Sequence, residues 1–136
     1  MKFKMLIAST AAAAMMAGSA MAAGMAVKSS DQDVSSGTVT ADSVMTEANG
    51  WMVVHRVKPD GKPGPVVGHA PLREGENTDV VALLTEPVKS GEQLMLMIHG
   101  EEGGSKTGVF EYSLGAKEDG PVKVDGKLVM QIVTAQ

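Results

Sequence analysis

The chain has no cysteine among its 136 residues. Disulfides and a lipid-anchored start at a cysteine are therefore impossible, and a blue-copper electron-transfer centre is excluded because it needs a cysteine ligand. Aromatic residues are also scarce, with one Trp, one Tyr and two Phe. So few rings cannot form the stacking platform that is typical of proteins binding single-stranded nucleic acid.

Basic residues are outnumbered by acidic ones, 12 against 16, which gives a formal net charge of -4. No cluster of Lys or Arg could follow a phosphate backbone, so we expect no nucleic-acid partner. Catalytic patterns are missing as well: there is no Gly-x-Ser-x-Gly elbow, and no paired carboxylates share a strand face near a histidine. The sequence therefore predicts a protein that is not an enzyme.

Residues 1–22 have the pattern of a secretory signal peptide. Lys2 and Lys4 precede an apolar run at residues 5–17, which is shorter than the roughly 20 residues needed to cross a bilayer. Residues 20–22 (Ala-Met-Ala) form the preferred cleavage site, with residues 18–20 as the alternative. We expect a periplasmic or secreted protein with no membrane span after signal removal; a retained N-terminal anchor is the competing interpretation.

Short apolar runs separated by Gly, Pro and acidic turns follow a polar segment, residues 23–37, which is expected to be a flexible leader. The runs either alternate with period two or are wholly apolar, and none has a helical period. They predict strands at Thr38–Thr46, Trp51–Val57, Val66–Ala70, Asp79–Thr85, Gln93–His99, Val109–Leu114 and Lys127–Thr134, with a short extended piece at Pro121–Val124. Seven or eight such strands indicate an antiparallel β-sandwich over residues 38–136.

The character of each run predicts its place in a sheet. Trp51–Val57 and Gln93–His99 are nearly continuous apolar runs, which is typical of central strands covered on both faces. Thr38–Thr46 is only weakly amphipathic, so we expect an edge strand. An edge strand could accept a strand from a partner, and β-strand addition at Thr38–Thr46 is therefore one predicted binding mode.

Several fragments in a fixed order resemble a family of exported β-domains from bacteria and halophilic archaea that is catalogued only as a domain of unknown function. The fragments are Trp51 to His55, Gly64 to His69, Leu94 with Met97 to His99, Gly108 to Tyr112, and Asp119 to Val122 with Asp125-Gly126. The resemblance covers roughly residues 38–134. It implies an immunoglobulin-like or cupredoxin-like sandwich and no activity. Family members tend to have Asp two positions after the second motif histidine, where this chain has Glu101.

Three histidines in an exported domain raise the question of a copper or zinc site, because imidazole binds both metals and thioether sulfur binds Cu(I). The candidate ligands are His55, His69, His99, Met95 and Met97. The alternative is structural, with the methionines filling the core and the imidazoles hydrogen-bonding backbone carbonyls. The pattern favours this structural use, so no cofactor is expected unless copper or zinc binds.

Topology decides whether His55 and His99 can share an ion. If their strands are antiparallel neighbours, the two histidines are expected at opposite ends of the sheet, too far apart to do so. If the strands face each other in two sheets and run the same way, both imidazoles reach one rim. Two ring nitrogens within roughly 4 Å of each other would favour the metal interpretation, because each ligand must lie about 2 Å from the ion.

The sequence as a whole predicts an exported, non-enzymatic binding or structural module whose partner is an unknown envelope protein or surface ligand. A periplasmic protein that handles copper or zinc is the alternative. Trp51 and the loop Lys58–Pro65 are a candidate contact surface, although a lone Trp in such a strand is more often core. The acidic loops at residues 101–102 and 118–125 lack the spacing of a calcium loop and predict solvated turns.

Overall fold

The computed structural model describes residues 24–113 and 116–136, so the predicted signal peptide lies outside the described residues. The described residues form nine β-strands and no α-helix. The strands are β1 (Ala26–Lys28), β2 (Thr38–Thr46), β3 (Gly50–Val57), β4 (Pro63–Leu72), β5 (Gly75–Leu83), β6 (Gln93–Gly100), β7 (Lys123–Val124), β8 (Lys127–Leu128) and β9 (Met130–Thr134). In this part of the chain there is no helix of the length and apolarity needed to cross a membrane.

Two antiparallel sheets pack face to face, which confirms the predicted β-sandwich. One has three strands in the order β1-β2-β5, and the other has four in the order β4-β3-β6-β9. The core between them combines side chains of both sheets, among them Val39, Val44, Met52, Val54, Leu96 and Ile98. A separate hairpin, β7-β8, turns at Asp125-Gly126, where both residues have positive φ as the sequence dipeptide predicts.

Strands β3 and β6 are central and buried on both faces, as predicted. One set of their side chains enters the core between the sheets. The alternate set faces away from that core but is also covered: Trp51 is 6% exposed, Met95 and Met97 are 1% exposed, and Val53 is 0% exposed. A third layer must therefore lie over the outer face of the four-stranded sheet.

That third layer is the cover segment, which we define as residues 101–113 and 116–122. Its backbone is anchored to β6 by hydrogen bonds from Gly100 N to Gly120 O and from Val122 N to Ile98 O, each 3.0 Å long. The strand predicted at Val109–Leu114 is wrong for residues 109–113, which are irregular, and Leu114 lies outside the described residues. The aromatic rings of these residues pack on the outer face of the sheet. Their backbone forms hydrogen bonds with side chains rather than with a neighbouring strand.

Strand β2 is not the edge strand that the sequence predicts. β5 pairs with one side of it along its whole length, and β1 pairs with the other side at Ser43–Met45. At Thr40 the Gln32 amide closes that second side, because its Oε1 accepts from the Thr40 N–H at 2.8 Å and its Nε2 donates to the Thr40 carbonyl at 2.8 Å. The prediction that a partner strand adds to β2 is therefore wrong, because β2 has no open edge at these residues.

The segment before β2 also differs from the flexible leader predicted for residues 23–37. Its described part contains β1, and it places Val27 and Val34 in the core, 7% and 4% exposed. Gln32 also forms a parallel bridge to Ala135 at the end of the chain. Isolated valines in a polar run have no periodicity, so the sequence pattern does not indicate this packing.

The strand predicted at Lys127–Thr134 is divided into β8 and β9, which belong to different sheets. Two other strands begin at least three residues earlier than predicted. β4 starts at Pro63 rather than Val66, and β5 starts at Gly75 rather than Asp79. β4 lies at the edge of its sheet, where a proline can face outward without removing a hydrogen bond from the ladder. The prolines of the Lys58–Pro65 loop therefore do not prevent strand formation at its end.

Candidate functional site

His55 and His99 meet on the outer face of the four-stranded sheet. Their strands, β3 and β6, are antiparallel neighbours, and the Val53–Met97 pair lies in the row between the two histidines. The imidazoles lean toward each other over this row, and their Nε2 atoms are 3.1 Å apart. The expectation that antiparallel neighbours keep these histidines apart is therefore wrong.

Backbone carbonyls hold the far side of each ring. The pairing of β3 with β4 shifts register on both sides of His55, and such bulges re-aim the side chains beside them. His55 Nδ1 lies 2.8 Å from the carbonyl oxygen of Gly64 on β4. His99 Nδ1 lies 2.7 Å from the carbonyl oxygen of Asp119 in the cover segment.

These two contacts determine where the imidazole hydrogens are. A carbonyl oxygen can only accept a hydrogen bond, so both Nδ1 atoms carry hydrogen and donate it. In a neutral imidazole the other nitrogen then has a lone pair and no hydrogen. The Nε2 atoms of His55 and His99 therefore turn lone pairs toward each other across 3.1 Å, an arrangement that is repulsive unless a cation lies between them.

Burial keeps both rings neutral at neutral pH. His55 is 1% exposed and His99 is 0% exposed. Burial lowers the pKa of His55, and the hydrogen bond to Gly64 opposes that change. Burial also lowers the pKa of His99 to about 4; the hydrogen bond to Asp119 opposes it, and the neighbouring His55 lowers it further. Both Nε2 atoms are thus unprotonated at pH 7, as ligation of a metal requires.

Aromatic side chains of the cover segment form the wall of the site. Tyr112 meets His99 edge-on with ring centroids 4.6 Å apart, and its ring is 6.0 Å from that of His55. The Phe110 ring is 6.0 Å from that of His99. The alternating pattern predicts Phe110 and Tyr112 on one face, but nothing in the sequence connects that face to the histidines. The wall shields the pair from water on this side, which strengthens the electrostatic interactions of the two rings.

The other predicted ligands are arranged differently. His69 is exposed, and its ring packs against Trp51 and Phe110, with centroid separations of 5.5 and 4.6 Å. Met95 and Met97 share the face of the histidine pair and are each 1% exposed. Across residues 24–113 and 116–136, no three His, Asp or Glu side chains are grouped so that they could hold a metal ion.

Asp119 is a site residue that the sequence does not reveal. Its side chain accepts from the Glu102 N–H at 3.2 Å and from the Glu111 N–H at 2.8 Å, while its carbonyl accepts from His99. It is 0% exposed and has a φ of 46°, a conformation that Asp tolerates better than most residues. The Asp-Gly-Pro sequence predicts a turn, and it gives no signal that the carboxylate is buried.

A cavity of about 480 Å³ approaches the site beside the β2–β3 turn. His99 lines it together with Thr46, Asn49, Glu102 and Pro121, among others. Although His99 has no exposed surface, it borders this space. The cavity therefore provides a direction from which an ion could reach the pair.

Comparison with known families gives one match. A family model described as Domain of unknown function (DUF7282) matches residues 25–136. The chain belongs to this family. The predicted resemblance to an uncharacterised domain family is thereby confirmed, and the match over DUF7282 includes all nine strands, the histidine pair and the cover segment. No curated protein and no solved structure matches the chain.

The distance between the two histidine nitrogens in this DUF7282 domain allows a shared ion. Nitrogens 3.1 Å apart, each about 2 Å from an ion, subtend an angle of about 100° at it. That angle is close to the tetrahedral value and leaves space for further ligands. The ring centroids are 5.3 Å apart, so the two lone pairs now point almost along the line between the nitrogens. Each ring must therefore turn by roughly 40° to direct its lone pair at an ion in this bent position.

Proposed function

We propose that this DUF7282 domain is an exported, non-enzymatic binding module whose ligand is a transition-metal ion, copper or zinc, held between His55 and His99. One observation carries the proposal: two Nε2 lone pairs face each other at 3.1 Å with both Nδ1 atoms engaged by carbonyls. A cation between the nitrogens converts this repulsion into attraction. Imidazole nitrogen is a good ligand for both metals.

A proton is the competing occupant of the gap. A protonated Nε2 of one ring could donate to the lone pair of the other, and 3.1 Å is an ordinary length for such a bond. Burial opposes that charge, because it lowers the pKa of both His55 and His99. At pH 7, above the lowered pKa of both rings, the gap therefore holds no proton that a metal ion would have to displace.

Binding suits this site better than catalysis does. A catalytic metal keeps a coordination position open to substrate or water, whereas this pair is fully buried and is covered by Phe110 and Tyr112. Residues 1–22 support export because they have the signal-peptide pattern. A buried metal site and an export signal are both consistent with a protein that holds or delivers a metal ion in the periplasm or outside the cell.

The proposal is tested by titrating the purified protein with Zn²⁺, Cu²⁺ and Cu(I) and counting bound ions. We expect a single ion in the wild type and none in His55→Gln or His99→Gln, since each variant removes one lone pair. His69→Gln is the matched control, because it removes an exposed histidine outside the pair, and it should bind like the wild type.

Nitrogen-15 NMR of the wild type tests the same proposal without any substitution. Metal-free protein at pH 7 should show two Nδ1–H imidazoles with unprotonated Nε2 atoms, and the metal should shift both Nε2 signals together. Affinity weaker than about micromolar for all three ions, or a proton already on an Nε2 atom at pH 7, would refute the metal site.

A further inference from the structure

We infer that the ion is monovalent Cu(I), with the thioether of Met97 as its third ligand. This inference rests on the proposed metal-binding function and specifies which ion the site selects. Three features carry it: the charge of the surroundings, the bent geometry of the two nitrogens, and the position of the methionines.

The buried groups around the site can balance the charge of a monovalent cation but not that of a divalent one. Both imidazoles are neutral donors, and Asp119 is the one acidic side chain among the described residues that is fully buried. Its backbone carbonyl accepts a hydrogen bond from His99 Nδ1 at 2.7 Å, so this acidic residue directly adjoins the pair. Because the cost of burying an ion grows with the square of its charge, a divalent ion would cost about four times as much as a monovalent one, and Asp119 could neutralise only half of it.

The other acidic residues around the site do not change this balance. Glu47 and Glu102 line the same cavity as His99 but are exposed, so water and salt screen their charges. Glu101 is only partly buried, and its carboxylate accepts hydrogen bonds from Trp51 Nε1 at 3.0 Å and from Gly108 N at 3.3 Å. These partners hold it at the rim of the face, beside the indole. It therefore does not supply the second negative charge that buried Zn²⁺ or Cu²⁺ would need.

An angle of about 100° at the ion leaves room for a third ligand, and two buried thioethers, those of Met95 and Met97, lie on the same sheet face as the histidines. Met97 pairs with Val53, in the row between the two histidines that both imidazoles lean over. Met95 pairs with His55 itself, and the ring of His55 leans away from that row. Soft thioether ligands select Cu(I) over Zn²⁺ and Cu²⁺.

The ion preference is measured on the full protein by competition with chelators of known affinity, using Cu(I), Ag(I), Zn²⁺ and Cu²⁺. Ag(I) is a redox-inert probe of the same charge and softness. We expect Cu(I) and Ag(I) to bind at least about 100-fold more tightly than either divalent ion. If Cu(I) binds no more tightly than Zn²⁺, the inference is overturned. The proposed metal-binding function still holds in that case if His55→Gln abolishes Zn²⁺ binding. Failure of all four ions would overturn both.

Two leucine substitutions separate the methionines. Met97→Leu should weaken Cu(I) binding by about tenfold or more because it removes a ligand. Met95→Leu is the matched control, equally buried on the same face, and should change the affinity little. X-ray absorption of the wild-type Cu(I) protein should also show sulfur at about 2.3 Å. Equal effects of the two substitutions, or no sulfur in the absorption data, would overturn the assignment of Met97.

Discussion

At the scale of single residues, the site depends on how far an imidazole reaches along a strand. Four residues of strand span about 13 Å, which is the offset between Met95, opposite His55, and His99. Side chains of strands lean along the strand direction, and here the two rings lean inward from opposite ends of that span. Two carbonyl acceptors then fix the rings with their lone pairs facing each other.

The first residue-scale prediction concerns acid. In the metal-free protein, the pKa of His99 falls from its ordinary 6.5 to about 4, so the unfolded chain binds a proton more readily than the folded one. The contribution of His99 to the free energy of unfolding is fully present above pH 6.5. It is lost as the pH falls toward 4, where the loss amounts to about 3 kcal/mol. Thermal unfolding between pH 8 and pH 4 measures the loss.

A substitution series identifies the group responsible. In His99→Gln the decline in melting temperature between pH 6.5 and 4 should be shallower than in the wild type, whatever the variant's stability at pH 7. His69→Gln should retain more of the wild-type slope than His99→Gln does: burial lowers the pKa of His69 as well, but His69 is exposed whereas His99 is fully buried. Parallel profiles for all three proteins would show that His99 does not carry this acid sensitivity.

At the scale of structural elements, much of the cover segment is held by hydrogen bonds from its backbone amides to side-chain carboxylates rather than by pairing with a strand. The Asp119 carboxylate accepts from two amides, and Glu111 accepts from the amides of Ser105 and Lys106 at 3.1 and 2.8 Å. These backbone hydrogen bonds lower the pKa of Glu111. The segment is thus an ordered layer that positions Tyr112 and the Asp119 carbonyl against the histidines.

The element-scale prediction is that Asp119→Asn loosens the cover segment. Asn has one side-chain acceptor oxygen, so the amide of Glu102 or of Glu111 loses its partner, at a cost of about 1–3 kcal/mol. Amide hydrogen exchange should quicken at residues 101–113 while β3 and β6 keep their protection. Asp42→Asn, an exposed change on β2, is the control. Unchanged exchange in Asp119→Asn would mean that the carboxylate does not anchor the segment.

At the scale of the whole molecule, the segment before β2 contacts the last residues of the chain, and both complete the core of the sandwich. The Gln32 N–H donates to Thr134 O at 3.2 Å, and the Gln136 N–H donates to Gln32 O at 2.8 Å. Val34 and Ala135 join the same core cluster, 4% and 2% exposed. The segment before β2 is therefore part of the folded domain.

The whole-molecule prediction tests that closure. Val34→Ala should lower the free energy of unfolding by about 2 kcal/mol, because it deletes two buried methyl groups and leaves a cavity. Val124→Ala, at a side chain that is 44% exposed, should change it by less than about 0.5 kcal/mol. Chemical denaturation measures both. A Val34→Ala variant as stable as Val124→Ala would indicate that the leader packs only loosely.

Much of the fold follows from local pattern. The continuous apolar runs from Trp51 and from Leu94 predict doubly covered central strands because period and composition report burial directly. The Asp125-Gly126 turn is equally local, because it depends on the backbone freedom of two residues. The interior position of β2 could not be predicted in the same way, because it depends on the pairing of β1 and the Gln32 amide with the second side of β2.

The sequence by itself determined the all-β class, the central strands and the residue types that could bind a metal. Those properties depend on side-chain chemistry and short-range periodicity. Only the tertiary structure decided that His55 and His99 face each other and that His69 does not join them. It alone also buried Asp119 beside His99. The physical reason is that strand register, a bulge and the path of the cover segment set these distances, and each depends on contacts between residues far apart in the chain.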